Sequence, residues 1–173
     1  MLICALFIYS IKGLTFNVIA LSLMAGCMEE VVFRALPLSL MMRTDRSPKN
    51  IWLAIILTSL IFGAIHITNL SSGADPTSTA IQVISTLGTG FFFAAIFLRT
   101  GNIGLTIFFH FLHNVLCEVQ DIYDGAVIVT KAAPADIAMG IAIAIVMVIA
   151  GIKLVKGKED KIAQVWAERW GDK

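Results

Sequence analysis

The segment LTFNVIALSLMAGCMEEVVFRALPLSLMM, residues 14–42, is apolar along its length except for three charged side chains, Glu29, Glu30 and Arg34. Roughly 20 apolar residues suffice to cross a bilayer. A charged residue at the centre of a membrane helix costs about 2.5–3.5 kcal/mol on insertion scales, and it usually faces a cavity or a partner. The segment therefore predicts a membrane helix that keeps ionisable groups for a functional reason.

The composition of the chain is that of an integral membrane protein. Of its 173 residues, 58% are hydrophobic and 14% are charged, whereas soluble domains average about 25% charged residues. The net charge of +1 gives no argument for nucleic-acid binding. The three cysteines, Cys4, Cys27 and Cys117, lie in or beside apolar runs and are typical of small core residues rather than of a disulfide framework.

Apolar segments separated by turn residues predict an all-α, polytopic transmembrane helical bundle that forms one domain over 1–173. We expect about five spans, at 14–42, 51–70, 80–99, 103–118 and 134–155, with an extra half-span possible in the apolar residues 2–11. The breaks between them contain Pro48, Gly73, Pro76 and Gly101. A tail, 156–173, follows the last span.

The positive charges predict the orientation of the bundle. If the spans alternate, ten lysines and arginines share one side: Arg43, Arg46, Lys49, Arg99, Lys153, Lys156, Lys158, Lys161, Arg169 and Lys173. Lys12 and Lys131 lie on the other side, near the acidic Glu118, Asp121 and Asp124. The positive-inside rule therefore predicts a multi-pass cell-membrane protein with a cytoplasmic C-terminus.

The tail also carries an amphipathic pattern. Ile162, Val165, Trp166 and Trp170 lie near one face of a helix over 158–170. Such a pattern predicts an interfacial helix that lies on the inner leaflet.

Helical spacing separates the roles of the two glutamates. Glu30 and Arg34 are four residues apart, so they share a face and can pair. Glu29 is rotated by about 100° from Glu30 and has no partner on its own helix. A buried carboxyl without a partner is suited to act as a general base or acid. Alternatively, all three side chains form one structural ion-pair network.

The histidines add further candidates. Phe62 lies one turn before His66, on the same face, and can wall the imidazole. His110 and Asn114 also share a face, whereas His113 lies to the side. Two donors aimed at one point suit an oxyanion, although interhelical hydrogen bonding would explain the same residues. A base, an imidazole and an oxyanion clamp on three spans are what hydrolysis of an amide by activated water requires.

These motifs resemble those of the CAAX prenyl protease type II and bacteriocin-processing family of intramembrane endopeptidases (CPBP, or Abi). The family motifs EExxxR, FxxxH and HxxxN correspond here to Glu29-Glu30-Val31-Val32-Phe33-Arg34, Phe62-Gly63-Ala64-Ile65-His66 and His110-Phe111-Leu112-His113-Asn114. The resemblance covers residues 20–120. The order and spacing of all three motifs match, whereas Ala35 replaces a frequent glycine, and members often have additional N-terminal spans.

The resemblance implies a glutamate-dependent endopeptidase that acts on membrane-tethered peptide or protein substrates. Glu29 and His66 would activate water, and His110 and Asn114 would hold the oxyanion. Glu30, Arg34 and Phe62 would support them. No cofactor is expected in this interpretation.

Three alternatives remain open at this stage. A zinc-dependent variant would use Glu29, His66 and His110 as ligands. Intramembrane glutamates and histidines also form the relays of proton-coupled transporters. A non-catalytic bacteriocin-immunity or accessory protein is the third alternative. The sequence does not distinguish prenylated CAAX peptides from other membrane-tethered substrates.

The protease hypothesis makes a geometric prediction. The four catalytic candidates should converge on one cavity, with spans one, two and four in mutual contact and span three, which contains Gly88 and Gly90, packed closely beside them. Glu29 lies roughly 20 Å from the positively charged end of its span and His110 about 10 Å from its own, so tilt or oblique entry must close the gap. We expect the cavity to open to the cytoplasm or sideways to lipid.

Overall fold

A computed structural model describes residues 14–123 and 132–171, and this part of the chain is helical, without strands. We number its helices α1 (Phe16–Thr44), α2 (Pro48–Ile65, extended by a 3-10 turn, His66–Ser72), α3 (Pro76–Thr100), α4 (Ile103–Tyr123), α5 (Pro134–Val155) and α6 (Glu159–Trp170). The predicted all-α transmembrane bundle is confirmed.

The helices correspond to the predicted spans. Among the described residues, four helices, α1, α2 with its extension, α3 and α5, are long and apolar enough to cross a membrane. The fifth predicted span, 103–118, falls on α4, which begins with the apolar stretch Ile103–Cys117. The half-span expected in residues 2–11 lies outside the described residues.

A π-helical turn, Val31–Ala35, interrupts α1 directly after the two glutamates. Pro37 explains its position, because proline has no N–H to donate and its ring clashes with the carbonyl four residues before it, here that of Phe33. The wider turn avoids this clash, and the Leu36 N–H bonds to the carbonyl of Val31, five residues back. Such π-bulges are frequent at functional sites.

Small residues allow the helices to approach closely. Gly88 of α3 lies so near Ala144 of α5 that a Cβ added there would be 2.4 Å from the Ala144 Cα. Gly26 of α1 lies against the backbone of α4, where an added Cβ would be 3.3 Å from the Phe111 nitrogen. The bundle thus contains two tight pairs, α1 with α4 and α3 with α5, and α2 packs along α3.

The helix predicted at the C-terminus is present as α6, but protein covers its apolar face. Ile162 and Trp166 are fully buried and pack with residues of α1, α2 and α3. The Trp166 indole donates a hydrogen bond to the Leu98 carbonyl at 2.9 Å and stacks edge-on against Phe97. The expectation that this face lies on lipid is corrected. The face packs instead on the apolar core of the bundle, where the Leu98 carbonyl accepts the hydrogen bond of the Trp166 indole.

Contacts between the motifs bridge the predicted gap in depth. Phe62 lies roughly 21 Å along α2 from its start, whereas His110, which it contacts, lies about 10 Å along α4. The helices α2 and α3 are not offset, because Ser59 and Gly90, which lie side by side, are roughly 16 and 15 Å from the positively charged ends of their helices. The helix α6 packs across this end, with Arg169 donating to the Gly101 carbonyl.

Candidate active site

His110 lies between the two glutamates of the first motif. Its Nδ1 is 2.8 Å from Glu30 Oε1, and its Nε2 is 3.5 Å from Glu29 Oε2. Glu30 is fully buried, whereas about a third of the Glu29 side chain is exposed. The Nδ1–H therefore donates to Glu30, which fixes the ring with Nε2 towards Glu29.

Arg34 completes this arrangement from within its own helix. Its Nη1 donates to the same Glu30 oxygen at 2.9 Å, and both side chains are fully buried. The guanidinium carbon lies 3.9 Å from the centroid of Phe62, a cation–π contact that compensates for the loss of water. Gly90 gives the guanidinium room, because an added Cβ would be 3.1 Å from Arg34 Nη2.

His66 is oriented by the end of α2. At the change from α-helix to 3-10 turn its backbone N–H bonds to the Gly63 carbonyl, three residues back. The Phe62 carbonyl instead accepts from His66 Nδ1 at 2.9 Å. With the proton on Nδ1, the Nε2 of His66 retains its lone pair.

Phe62 connects the three motifs. Its ring packs edge-on against His66, at 5.1 Å between centroids, and against His110, at 5.9 Å. The predicted packing of Phe62 against the His66 imidazole is therefore present, and the same ring also packs against His110. This contact also joins α2 to α4, while Phe93 of α3 packs against His110 as well, at 5.6 Å. Span three thus contacts both span two and span four.

A cavity of about 920 Å³ brings the candidates together. Glu29, His66, His110 and Asn114 all line it, and so does His113. Asn114 lies one turn beyond His110 on α4, as the spacing predicted. The catalytic roles of these residues stay predictions, because the geometry shows where they lie and not what they do.

The cavity extends away from the positively charged end. Along α3 its lining runs from Phe93 back to Ser78, and at its far end it reaches Asp136 at the start of α5. We expected an opening to the cytoplasm or sideways to lipid. The core beneath α6 occupies the charged end, whereas the exposed apolar residues Met28 and Met139 line the cavity, so the sideways opening stays a prediction.

Sequence reasoning missed two contributors to this site. Phe93 reads as an ordinary apolar residue of a span, and nothing local marks its contact with His110. The polar face of α3 does carry a signal, because Ser78, Gln82, Ser85, Thr86 and Thr89 recur at helical spacing in an otherwise apolar segment.

Comparison with protein families finds a match over this part of the chain. The family model for the type II CAAX prenyl endopeptidase Rce1-like proteins matches residues 11–116, which is more than half of the chain. The chain belongs to this family. The resemblance to the CPBP proteases is thereby confirmed, and the Rce1-like match spans all three motifs. No curated protein and no solved structure matches the chain.

The family match places the protein in a family of membrane proteases. The reaction mechanism has to be argued from the geometry of the site. Among the residues that the structure describes, no three His, Cys, Asp or Glu side chains are grouped as a metal site would require. Two of the three imidazoles have Nδ1 engaged, that of His110 with Glu30 and that of His66 with Phe62. The prediction that no metal takes part stays a prediction.

Proposed function

We propose that this Rce1-like protein is an intramembrane endopeptidase that hydrolyses peptide bonds of membrane-tethered substrates with activated water and without a metal. One observation carries the proposal. His110 is fixed by a buried glutamate, and its free nitrogen lies 3.5 Å from a second, partly exposed glutamate at the wall of the cavity.

Glu29 and His66 are the groups that would activate the water. The Glu29 carboxylate borders the cavity, and the Nε2 lone pair of His66 is free to accept a hydrogen bond there. Glu29 takes a proton from the water as its oxygen attacks the carbonyl carbon, with His66 orienting it. Glu29 then delivers this proton to the leaving amine.

His110 and Asn114 would stabilise the tetrahedral intermediate. An oxyanion needs donors that are already oriented before charge develops on the oxygen. The Glu30 contact holds the His110 ring with Nε2 towards the cavity, and His110 would donate to the oxyanion from Nε2 as the imidazolium, which carries a proton on each nitrogen. Asn114 adds a side-chain amide from the same helix face. Glu30 and Arg34 are positioning residues in this proposal.

Replacement of Glu29 by glutamine tests the proposal. Wild-type protein in nanodiscs is given two quenched fluorescent peptides, one ending in a prenylated CAAX sequence and one carrying a single transmembrane segment. We expect cleavage of at least one, and Glu29→Gln to lower its rate by roughly 10³-fold, because general-base catalysis typically contributes 10²–10⁴-fold.

Glu168→Gln is the matched control, since the same change falls on the exposed face of α6. It should keep wild-type activity, and both variants should keep the wild-type melting temperature. Full activity of a folded Glu29→Gln variant would refute the proposed base. Cleavage of neither reporter, together with no new peptide termini in membranes that express the protein, would favour the accessory-protein alternative.

Metal removal tests the second half of the proposal. We expect activity to survive EDTA and phenanthroline, with substoichiometric zinc in the purified protein. One zinc per chain, and activity that returns when zinc is added back, would replace water activation by Glu29 and His66 with a zinc mechanism.

A further inference from the structure

The cavity has the length of a peptide-binding groove. From Phe93, beside His110, to Ser78 its wall follows α3 for roughly 22 Å at 1.5 Å per residue. An extended peptide rises about 3.3 Å per residue, so this wall matches six or seven residues. His110 lies at the inner end of the groove, beside Phe93, whereas His66 lies further out, between Gly63, which packs on Val83 and Leu87, and Asn69, which bonds to Gln82.

The α3 wall offers hydrogen bonds of both kinds. Ser85 and Thr86 donate their hydroxyl protons to the Gln82 carbonyl, at 3.0 and 2.7 Å, and so leave their oxygens as acceptors. Gln82 accepts from Asn69 at 2.8 Å through Oε1, which leaves its amide N–H groups as donors. An extended peptide backbone presents N–H and C=O groups that need such acceptors and donors.

The two ends of the groove differ in access. Its inner end is covered by the core around Leu98 and Trp166 and by α6, all at the end where the cationic loops lie. Its outer end reaches Gln82, Asp136 and Met139, which are exposed. With ten lysines and arginines on the covered side and two on the other, the outer end faces away from the cytoplasm under the positive-inside rule.

We propose that the substrate is an extended segment on the extracytoplasmic side of a membrane protein, which enters the cavity at the Gln82 end and lies along the polar face of α3 with its scissile bond at Glu29 and His110. The inference rests on the proposed endopeptidase function for the cleavage itself. The direction of entry does not depend on that function.

Labelling with a membrane-impermeant maleimide tests the direction of entry. Gln82→Cys and, as the control at the opposite end, Lys156→Cys are made after the native cysteines are changed to serine. In right-side-out bacterial spheroplasts we expect Gln82→Cys to be labelled at once, and Lys156→Cys after permeabilisation. No labelling of Gln82→Cys before permeabilisation, or equal labelling of both positions, overturns the proposal.

A pair of double variants tests the groove. Ser85→Ala/Thr86→Val removes two acceptors from the wall, and Thr58→Val/Ser59→Ala makes the same changes in α2, where the hydroxyls also bond to their own helix and do not line this cavity. With the better-cleaved reporter in nanodiscs, we expect the α3 variant to raise KM about tenfold with kcat within about twofold, since one hydrogen bond is worth about 0.5–1.5 kcal/mol.

The Thr58→Val/Ser59→Ala variant should leave both parameters unchanged. An unchanged KM in the α3 variant, or an equal rise in KM in both double variants, overturns the proposal that the substrate binds along α3. The protease function is tested separately by Glu29→Gln. If neither reporter is cleaved, the proposed function fails by its own test, and the maleimide labelling still decides the direction of entry.

Discussion

The two ends of the bundle are built differently. At the positively charged end, Leu38, Ile55, Leu98 and Trp166 are fully buried in one apolar core that α6 completes. Towards the other end, the tight pairs α1–α4 and α3–α5 border a cavity lined by Glu29, Gln82 and the histidines. One end therefore excludes water, and the other offers polar groups to it.

The difference separates stability from chemistry within one small bundle. A hydrolase must admit water and a peptide. Each polar group that lines the path for them occupies a position where an apolar side chain could have been buried. The closed end restores apolar burial, and the ion pair of Glu30 with Arg34 lies at the boundary between the two ends. Variants at either end should therefore have distinct effects.

Glu30→Gln should have the largest effect, because it acts at the boundary. It leaves the Arg34 charge buried without its partner, and removal of one member of a buried pair costs about 3–5 kcal/mol. It also releases His110, so activity should fall as well. Chemical denaturation of the purified protein should show the loss, whereas Glu29→Gln should denature like wild type. A stable Glu30→Gln and an unfolded Glu29→Gln would reverse the two roles.

Trp166→Ala probes the closed end. Truncation of a fully buried tryptophan costs about 3 kcal/mol or more, and here the bond to the Leu98 carbonyl is lost too. The fraction of protein still folded should cleave the reporters at the wild-type rate. Trp170→Ala, at a partly exposed position on the same helix, is the control and should change the unfolding midpoint far less. Equal effects would show that α6 is not part of the core.

Gly88→Ala probes the α3–α5 pair that supports the open end. The new methyl group would lie 2.4 Å from the Ala144 Cα, and backbone cannot move aside as a side chain can. We expect a loss of about 1–3 kcal/mol, the usual range for overpacking. Gly73→Ala tests backbone strain alone, since it has a positive φ and open space around it. A neutral Gly88→Ala would mean that the two helices are further apart than described.

Asp45→Asn should have the smallest effect. Hydrogen bonds from the Ser47 N–H and hydroxyl lower the pKa of the Asp45 carboxyl in the loop before α2. A carboxyl with a lowered pKa adds stability above its ordinary pKa, and this contribution is lost as the pH falls through the lowered value. The difference in Tm between wild type and Asp45→Asn should therefore stay constant from pH 7 down to the ordinary pKa of 3.8 and shrink below it. A difference that persists in acid would point to a cause other than this charge.

Local spacing predicted much of the site. The pairing of Glu30 with Arg34, the contact of Phe62 with His66 and the common face of His110 and Asn114 each depend on residues three or four apart. Within one helix such residues meet whatever the rest of the chain does. The apolar face of α6 was predictable for the same reason.

The contacts that orient the site are long-range and were not predictable in this way. His110 bonds to Glu30 across 80 positions of sequence, and Phe93 reaches His110 from a third helix. The expected role of Glu30, to neutralise Arg34, was therefore incomplete. The prediction of what covers the apolar face of α6 was wrong. An amphipathic sequence pattern shows that a face is apolar, but it does not distinguish lipid from protein as the surface that covers it.

The sequence by itself thus determined that the chain forms membrane helices, which side chains share each face, and which family it belongs to. The tertiary structure decided how the helices pack against one another, that the Nδ1 atoms of His66 and His110 are engaged, and where the cavity lies. The physical reason is that periodicity and hydrophobicity act along one helix, whereas packing and access follow from where glycines such as Gly88 and Gly26 let two helices meet.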